Sequence, residues 1–147
     1  MKASLAWTLC AMLLAGTAYA KDEAVTYYIQ TIFGTNRAEK GDGWKKVGPQ
    51  LQRELSPVFQ WRHYWQVNSQ KIEASKRHVS RVQLTKVREL EVRIREDDQL
   101  ELRLFRDGKV VRKLKDVVSH RHLIMGGDSN KDEAWFVVVR RDKPSTE

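Results

Sequence analysis

Two histidines toward the end of the chain have the spacing of a metal-binding pair. His120 and His122 lie two residues apart, so on a β-strand they would share one face and could both ligate zinc. A catalytic zinc centre takes a third protein ligand, and besides scattered carboxylates only His63 and His78 remain to supply it. We therefore treat His120 and His122 as weak metal candidates, with two histidines on an exposed strand as the alternative interpretation.

A polar segment just beyond them places side-chain oxygens at alternate positions, as calcium-binding loops do. Asp128, Asn130 and Asp132 are its potential ligands. Glu133 stands where an EF-hand loop needs glycine, and Val139 occupies the position of the bidentate glutamate. The segment 126–133 is therefore predicted to be a loop between strands. Its three oxygen donors are weak calcium candidates, and we predict neither a metal nor a cofactor.

The segment FQWRHYWQV (59–67) concentrates aromatic side chains that could bind a ligand or form a core. As a strand, it would place its two tryptophans and His63 on one face and Arg62 and Tyr64 on the other. Alternation of this kind is typical of a half-buried strand. We predict that the tryptophan face is buried, that His63 is structural, and that Arg62 and Tyr64 point outward as candidate contacts for a partner.

The densest basic run lies in the segment KVVRKLKDVV, directly after the hairpin signal Asp107-Gly108. Arg112, Lys113 and Lys115 are predicted to contact an anionic partner through their positive charge.

The remaining elements are read from the spacing of apolar residues. Alternation predicts a strand from Val25 that ends at Gly34. Spacing by four predicts a short helix from Val47 to Leu55, ended by Ser56-Pro57. Further strands follow, and the nearly continuous apolar run AWFVVVR predicts a central strand that is covered on both faces.

One hairpin can be assigned a register from the sequence. The segments RELEVRIRE and QLELRLFRDG carry all of their inward apolar residues at even-numbered positions: Leu90, Val92, Ile94, Leu100, Leu102 and Leu104. Keeping both sets on one face requires an odd loop length. A three-residue loop, 96–98, sets Arg93 opposite Glu101 and Glu91 opposite Arg103, whereas a shift by one residue sets two arginines against each other. Opposite charges stabilise such pairs by about 0.2–1 kcal/mol, so we predict the three-residue loop.

The first 20 residues have the pattern of an export signal, with Lys2, an apolar stretch and a small-residue cleavage site at Ala18-Tyr19-Ala20. The only cysteine, Cys10, lies inside that segment, so the exported chain would have no disulfide and no thiol nucleophile. We therefore predict export to the periplasm or envelope, or release from the cell, with no transmembrane span after cleavage.

Charge favours an anionic partner. Removing the 20-residue signal from 147 residues leaves 127, with 26 lysines and arginines against 19 acidic residues and a formal net charge of +7. An acidic polysaccharide, an envelope component or a protein would suit this balance, and self-association of the chain stays open. Nucleic acid is not favoured, because no recognition motif for it occurs.

These features predict a single mainly antiparallel β domain over 21–141, with a frayed tail at 142–147. Its expected fold is a sandwich or partly open barrel of seven or eight strands with one short helix. No motif for a nucleophile elbow, a zinc protease or a phosphate loop occurs. We therefore expect an exported, non-enzymatic binding or envelope-assembly domain. The alternative is a small secreted hydrolase or lyase that uses His63, His120 or His122.

Overall fold

The computed structural model describes residues 23–39, 41–118 and 122–144, and antiparallel strands make up most of these described residues. Those ranges contain one helix and nine strands, the second only two residues long. The elements are β1 (Val25–Thr35), β2 (Lys45–Lys46), α1 (Pro49–Phe59), β3 (His63–Ala74), β4 (Ser80–Thr85), β5 (Arg88–Ile94), β6 (Gln99–Arg106), β7 (Lys109–Val117), β8 (His122–Ser129) and β9 (Glu133–Arg140). The predicted signal at 1–20 lies outside the described residues.

Two sheets pack face to face, which confirms the predicted mainly antiparallel β fold and corresponds to the sandwich of the two predicted alternatives. The two-residue β2 brings the described strands to nine, against the seven or eight predicted. One has the strand order β2-β3-β1-β9-β8, and the other is the meander β4-β5-β6-β7. The core between the sheets includes Tyr27, Ile29, Val137 and Val139 from the first sheet. The second sheet contributes all six even-numbered apolar residues of the β5–β6 hairpin, and each of them is buried.

The five-stranded sheet is a middle layer, because α1 covers its other face. Leu51 and Leu55 of the helix pack there against Ile32, Phe136 and Val138. Strand β9 therefore has alternate residues in the two cores, which confirms that this strand is covered on both faces. No described helix has the length and apolar character needed to span a membrane.

The end of α1 differs from the prediction. The helix does not stop at Ser56-Pro57 but continues through Pro57 to Phe59. It ends at Gln60, whose left-handed backbone (φ 59°) lets its N–H donate to the carbonyl of Ser56 at 3.1 Å. Proline removes one helical hydrogen bond, and contact of the Phe59 ring with Phe136, at 4.2 Å between centroids, holds the last turn on the sheet.

The β5–β6 hairpin has the predicted register. Glu91 pairs with Arg103 and Arg93 pairs with Glu101. The N–H of Arg95 donates to the carbonyl of Gln99 at 2.8 Å, which closes a three-residue loop over 96–98.

The predicted orientation of Tyr64 is wrong. Tyr64 is fully buried under α1, and its hydroxyl accepts a hydrogen bond from the N–H of Trp61 at 3.1 Å. The helix, not solvent, covers the Tyr64 side of β3.

The strand predicted over 59–67 begins only at His63, because Phe59 ends α1 and Trp61 packs with Tyr64 in the core beneath the helix. Trp65 lies in β3 but is only half-buried, so the two tryptophans do not form the predicted buried face. A bulge changes the alternation as well: Asn68 pairs with Thr31 but Gln66 pairs with Ile32, which leaves the residue between them unpaired.

The predicted loop over 126–133 is shorter in the structure. Strand β8 continues to Ser129 and β9 starts at Glu133, so only 130–132 connect them. The β8–β9 pairing is irregular between Gly126 and Ser129, and this irregularity accommodates the polar residues within the strand.

Candidate functional site

The outer face of the four-stranded sheet carries most of the charge on that sheet. We call it the cationic face, and define it by the charged side chains that point away from the core. Its basic members are Arg81, Arg93, Arg95, Arg103, Lys113 and Lys115, and its acidic members are Glu89, Glu91 and Glu101. Positive groups therefore outnumber carboxylates by six to three on this surface.

Glu101 lies at the centre of the cationic face and is only 3% exposed. Nε of Arg103 donates to its Oε1 at 2.6 Å, and Nη1 of Arg95 donates to its Oε2 at 3.3 Å. Burial raises the pKa of this carboxyl, but the hydrogen bonds and charges of Arg103 and Arg95 outweigh it and hold the pKa below its ordinary value. The carboxylate is therefore charged at neutral pH, and both of its oxygens already accept hydrogen bonds from these two arginines.

Glu91 is the second buried carboxylate of this face. Nη2 of Arg81 donates to its Oε2 at 2.9 Å, while Nη1 of Arg103 lies 3.6 Å and Nη2 of Arg93 3.9 Å from Oε1. The Arg81 guanidinium also lies 4.6 Å from the centroid of the Phe105 ring. These arginines bury the acidic groups beneath a positively charged layer.

The predicted basic run is divided between the two sides of β7. Lys113 pairs with Arg103 and Lys115 pairs with Glu101, so both lysines lie on the cationic face. Arg112 pairs with Leu104 and lies on the opposite side, because neighbouring residues of a strand alternate. Both lysines are exposed and make no ion pair with any described residue. The structure thus brings two of the three predicted residues together.

The predicted contacts in the aromatic segment do not form one surface. Arg62 is exposed in the turn before β3, where its N–H donates to Oδ1 of Asn36 at 3.3 Å. Tyr64 is buried and cannot contact a surface partner. Neither residue belongs to the cationic face.

His63 and His122 lie far apart on the five-stranded sheet. His63 pairs with Thr35 of β1. His122 of β8 pairs with Arg140 of β9, and Arg140 pairs in turn with Tyr28 of β1. Seven residues of extended strand separate those two positions, roughly 23 Å. His63 stacks on Trp65, with ring centroids 6.3 Å apart, and Nε2 of His122 lies 3.1 Å from Oε2 of Glu54 on α1. These two histidines therefore do not form one catalytic pair.

The weak metal candidates are only partly described. His120 and the side chain of Asp128 lie outside the described parts of the structure. Oδ1 of Asn130 accepts hydrogen bonds from the N–H groups of Asp132 and Glu133, at 2.8 and 3.0 Å, as in an ordinary turn. Within residues 23–39, 41–118 and 122–144, no three or more His, Cys, Asp or Glu side chains are grouped to hold a metal ion.

A cleft at one end of the sandwich is absent from the predicted sites. We call it the end cleft; its volume is about 250 Å³ and it is lined by Arg88, Arg106, Ser129, Asn130, Glu133 and Trp135. The Arg88 guanidinium lies 4.9 Å from the centroid of the Trp135 ring. The sequence contained a signal for it, since the predicted β5–β6 register also pairs Arg88 with Arg106.

The cationic face offers an array of positive groups, and the end cleft offers two guanidinium groups beside an aromatic ring. Searches against models of protein families, curated proteins and solved structures found no match.

Proposed function

We propose that this protein is an exported, non-enzymatic binding domain whose cationic face binds an acidic polysaccharide. The single observation that supports this is the composition of the face, where six basic side chains surround three carboxylates. Export is part of the proposal and depends on the predicted signal at 1–20.

The arrangement of the charges suits a repeating anionic polymer. Neighbouring strands lie about 4.8 Å apart, and alternate residues of one strand about 6.6 Å apart. A face of this kind presents several cations within reach of one extended chain, so weak contacts add through multivalency. Glu91 and Glu101 are already paired with arginines, so they do not neutralise the two lysines of β7. Lys113 and Lys115 therefore extend the positive surface to the edge of the sheet.

Charge reversal at this edge tests the proposal. We expect the K113E/K115E double variant to bind immobilised polygalacturonate at least about fivefold more weakly, because each exposed ion pair contributes up to about 1 kcal/mol. The matched control is K45E/K46E, which makes the same charge change on two exposed lysines of the other sheet. Thermal unfolding of each variant checks that the fold is intact.

Salt dependence and a neutral polymer complete the experiment. Raising ionic strength to about 1 M shortens the Debye length to roughly 3 Å, so binding by the wild-type protein should be lost. Neutral dextran should not be retained at any salt concentration. If both double variants lose binding equally, net charge rather than the cationic face is responsible, and the proposal is wrong.

A further inference from the structure

Strand β7 is an outer strand of the four-stranded sheet, and no described strand pairs with the side of it that faces away from β6. The other outer strand of that sheet, β4, is covered by β3. The main-chain carbonyl of Gln83 in β4 accepts hydrogen bonds from the side-chain amides of Asn68 and Gln70. No described side chain covers the main chain of Lys113 or Lys115 in β7 in this way. The sheet therefore has one covered edge and one open edge.

The hydrogen-bonding direction along β7 follows from the neighbouring strands. In an antiparallel ladder, residues whose N–H and C=O bond with one neighbour alternate with residues that face the opposite side. In β6, the carbonyl of Gln99 accepts from the N–H of Arg95, and just beyond it the N–H of Asp107 donates to the carbonyl of Val87. The β5–β6 pairing has no irregularity between these two points. The odd-numbered residues of β6 therefore bond to β5, and the even-numbered residues bond to β7.

Two lysines consequently direct their main-chain groups toward the open edge. The even-numbered residues of β6 pair with Arg112, Leu114 and Asp116, which use their N–H and C=O groups within the sheet. Lys113 and Lys115 alternate with them, so each presents one N–H and one C=O away from β6. We call these four main-chain groups, together with the two lysine side chains, the β7 edge. Both side chains are exposed on the cationic face and make no ion pair with any described residue.

The charge of the β7 edge determines which strand could pair with it. Lys113 lies opposite Arg103 across the β6–β7 ladder, where like charges are destabilising. Lys115 lies opposite Glu101, whose two oxygens already accept hydrogen bonds from arginines. A strand with a carboxylate opposite each lysine would supply the negative charge that both lack. Leu114, between the two lysines, packs on the core of the sandwich, so an apolar residue suits the position opposite it.

A second copy of β7 does not suit this edge. The strand carries Lys109, Arg112, Lys113 and Lys115 against Asp116 alone. Two such strands side by side would bring eight cationic groups together with two carboxylates, twice the four and the one of a single strand. Lysines on an outer strand are a common protection against pairing with another copy. An acidic strand would be attracted by the same lysines.

We propose that the β7 edge binds an extended acidic peptide, which joins the four-stranded sheet as a fifth strand antiparallel to β7. The peptide has acidic residues opposite Lys113 and Lys115 and an apolar residue opposite Leu114. In strand addition of this kind, main-chain hydrogen bonds supply affinity and alternate side chains supply specificity. Polygalacturonate has no N–H groups to pair with the edge. The inference therefore goes beyond the proposed polysaccharide binding and does not depend on it.

Fluorescence anisotropy with the full chain and a labelled hexapeptide, TEVEVT, tests the assignment. We expect TEVEVT to bind at least about tenfold more tightly than TKVKVT, because the lysines of the second peptide repel those of β7. N-methylation of its two glutamate residues keeps the charge but removes the N–H groups that donate to β7, and should weaken binding at least about tenfold. The peptide EETTVV has the same composition without the alternation, and should bind at least about fivefold more weakly than TEVEVT.

Two variants at one position separate charge from main-chain pairing. K113Q removes the charge alone, whereas K113P removes the same charge together with the outward N–H. Proline is tolerated in an outer strand where its nitrogen faces solvent, and thermal unfolding checks the fold. We expect K113P to bind TEVEVT at least about threefold more weakly than K113Q does, because of the lost hydrogen bond. The control K45Q, at an exposed lysine of β2, should bind as the wild type does.

Equal binding of TEVEVT and its N-methylated form would show that side-chain charge alone attracts the peptide, and would overturn the proposal without affecting the one for polygalacturonate. Equal affinity of K113P and K113Q would overturn it as well. A dimer of the free chain that K113P abolishes would make a second copy the occupant and refute the assignment. If K113P does not fold, amide NMR shifts of the wild-type protein decide the matter: shifts induced by TEVEVT should centre on Lys113 and Lys115, and shifts outside β7 would refute the assignment.

Discussion

Replacing Glu101 by glutamine removes a buried negative charge and leaves the shape of the side chain nearly unchanged. The carboxylate accepts a short hydrogen bond from Arg103, at 2.6 Å, and a longer one from the more exposed Arg95, at 3.3 Å. Hydrogen bonds to charged groups contribute about 1.5–3 kcal/mol, and neutral ones about half as much. We therefore expect E101Q to lower the free energy of unfolding at pH 7 by about 2 kcal/mol, most of it from Arg103.

The same loss should depend on pH in a defined direction. The pKa of Glu101 lies below the ordinary value of 4.5, because its arginine neighbours outweigh the effect of burial. A lowered pKa contributes stability that is fully present above the unfolded-state value and is lost as pH falls through the folded-state value. The difference between wild type and E101Q should therefore be complete at pH 7 and should shrink as the pH falls below 4.5.

Urea unfolding followed by tryptophan fluorescence measures both effects. The matched control is E89Q on the same face, since Glu89 is 36% exposed and makes one contact of 3.7 Å with Arg81. That variant should change stability by less than about 0.5 kcal/mol. If E101Q were as stable as E89Q at pH 7, or if its deficit were unchanged well below pH 4, the account of this carboxylate would be refuted.

Two further substitutions test the core beneath α1 by calorimetry. Tyr64→Phe removes the acceptor of the Trp61 N–H and should lower the free energy of unfolding by about 1–2 kcal/mol. The control Tyr28→Phe should change it little, because the Tyr28 hydroxyl forms no hydrogen bond with the described residues. Equal losses in the two variants would contradict the buried hydrogen bond. Leu55→Ala shortens a side chain with no solvent exposure and should lower the free energy of unfolding by about 2–5 kcal/mol. The control Val58→Ala, at a residue 68% exposed, should change it by less than about 0.5 kcal/mol. A small loss at Leu55 would contradict the packing of the helix on the sheet.

Features set by neighbours in the sequence were predictable. The β5–β6 register follows from local parity and from the charges at Glu91 and Arg103, because a hairpin pairs residues that are close along the chain. The end cleft needed only one more step along that register, to Arg88 and Arg106. The Trp135 ring against which Arg88 lies could not be predicted locally, because Trp135 belongs to a strand of the other sheet.

The side-chain directions in β3 depend on packing that is distant in sequence. Alternation around Tyr64 indicates a strand but not which of its sides a helix will cover. The bulge beside Gln66 arises from pairing with Ile32, more than thirty residues earlier. The division of the basic run was predictable in principle, since adjacent residues such as Arg112 and Lys113 must point to opposite sides of a strand.

The strand order of the middle sheet also determines how much chain must be present before it can close. The β1–β9 pairing joins Tyr28 to Arg140 and Thr35 to Glu133, while β4 to β7 pair only with their neighbours in sequence. Contacts between distant segments carry a larger loop-closure entropy than local ones. The meander can therefore form before the C-terminal strand is available. The middle sheet, and with it both hydrophobic cores, is complete only after the C-terminal strand has arrived.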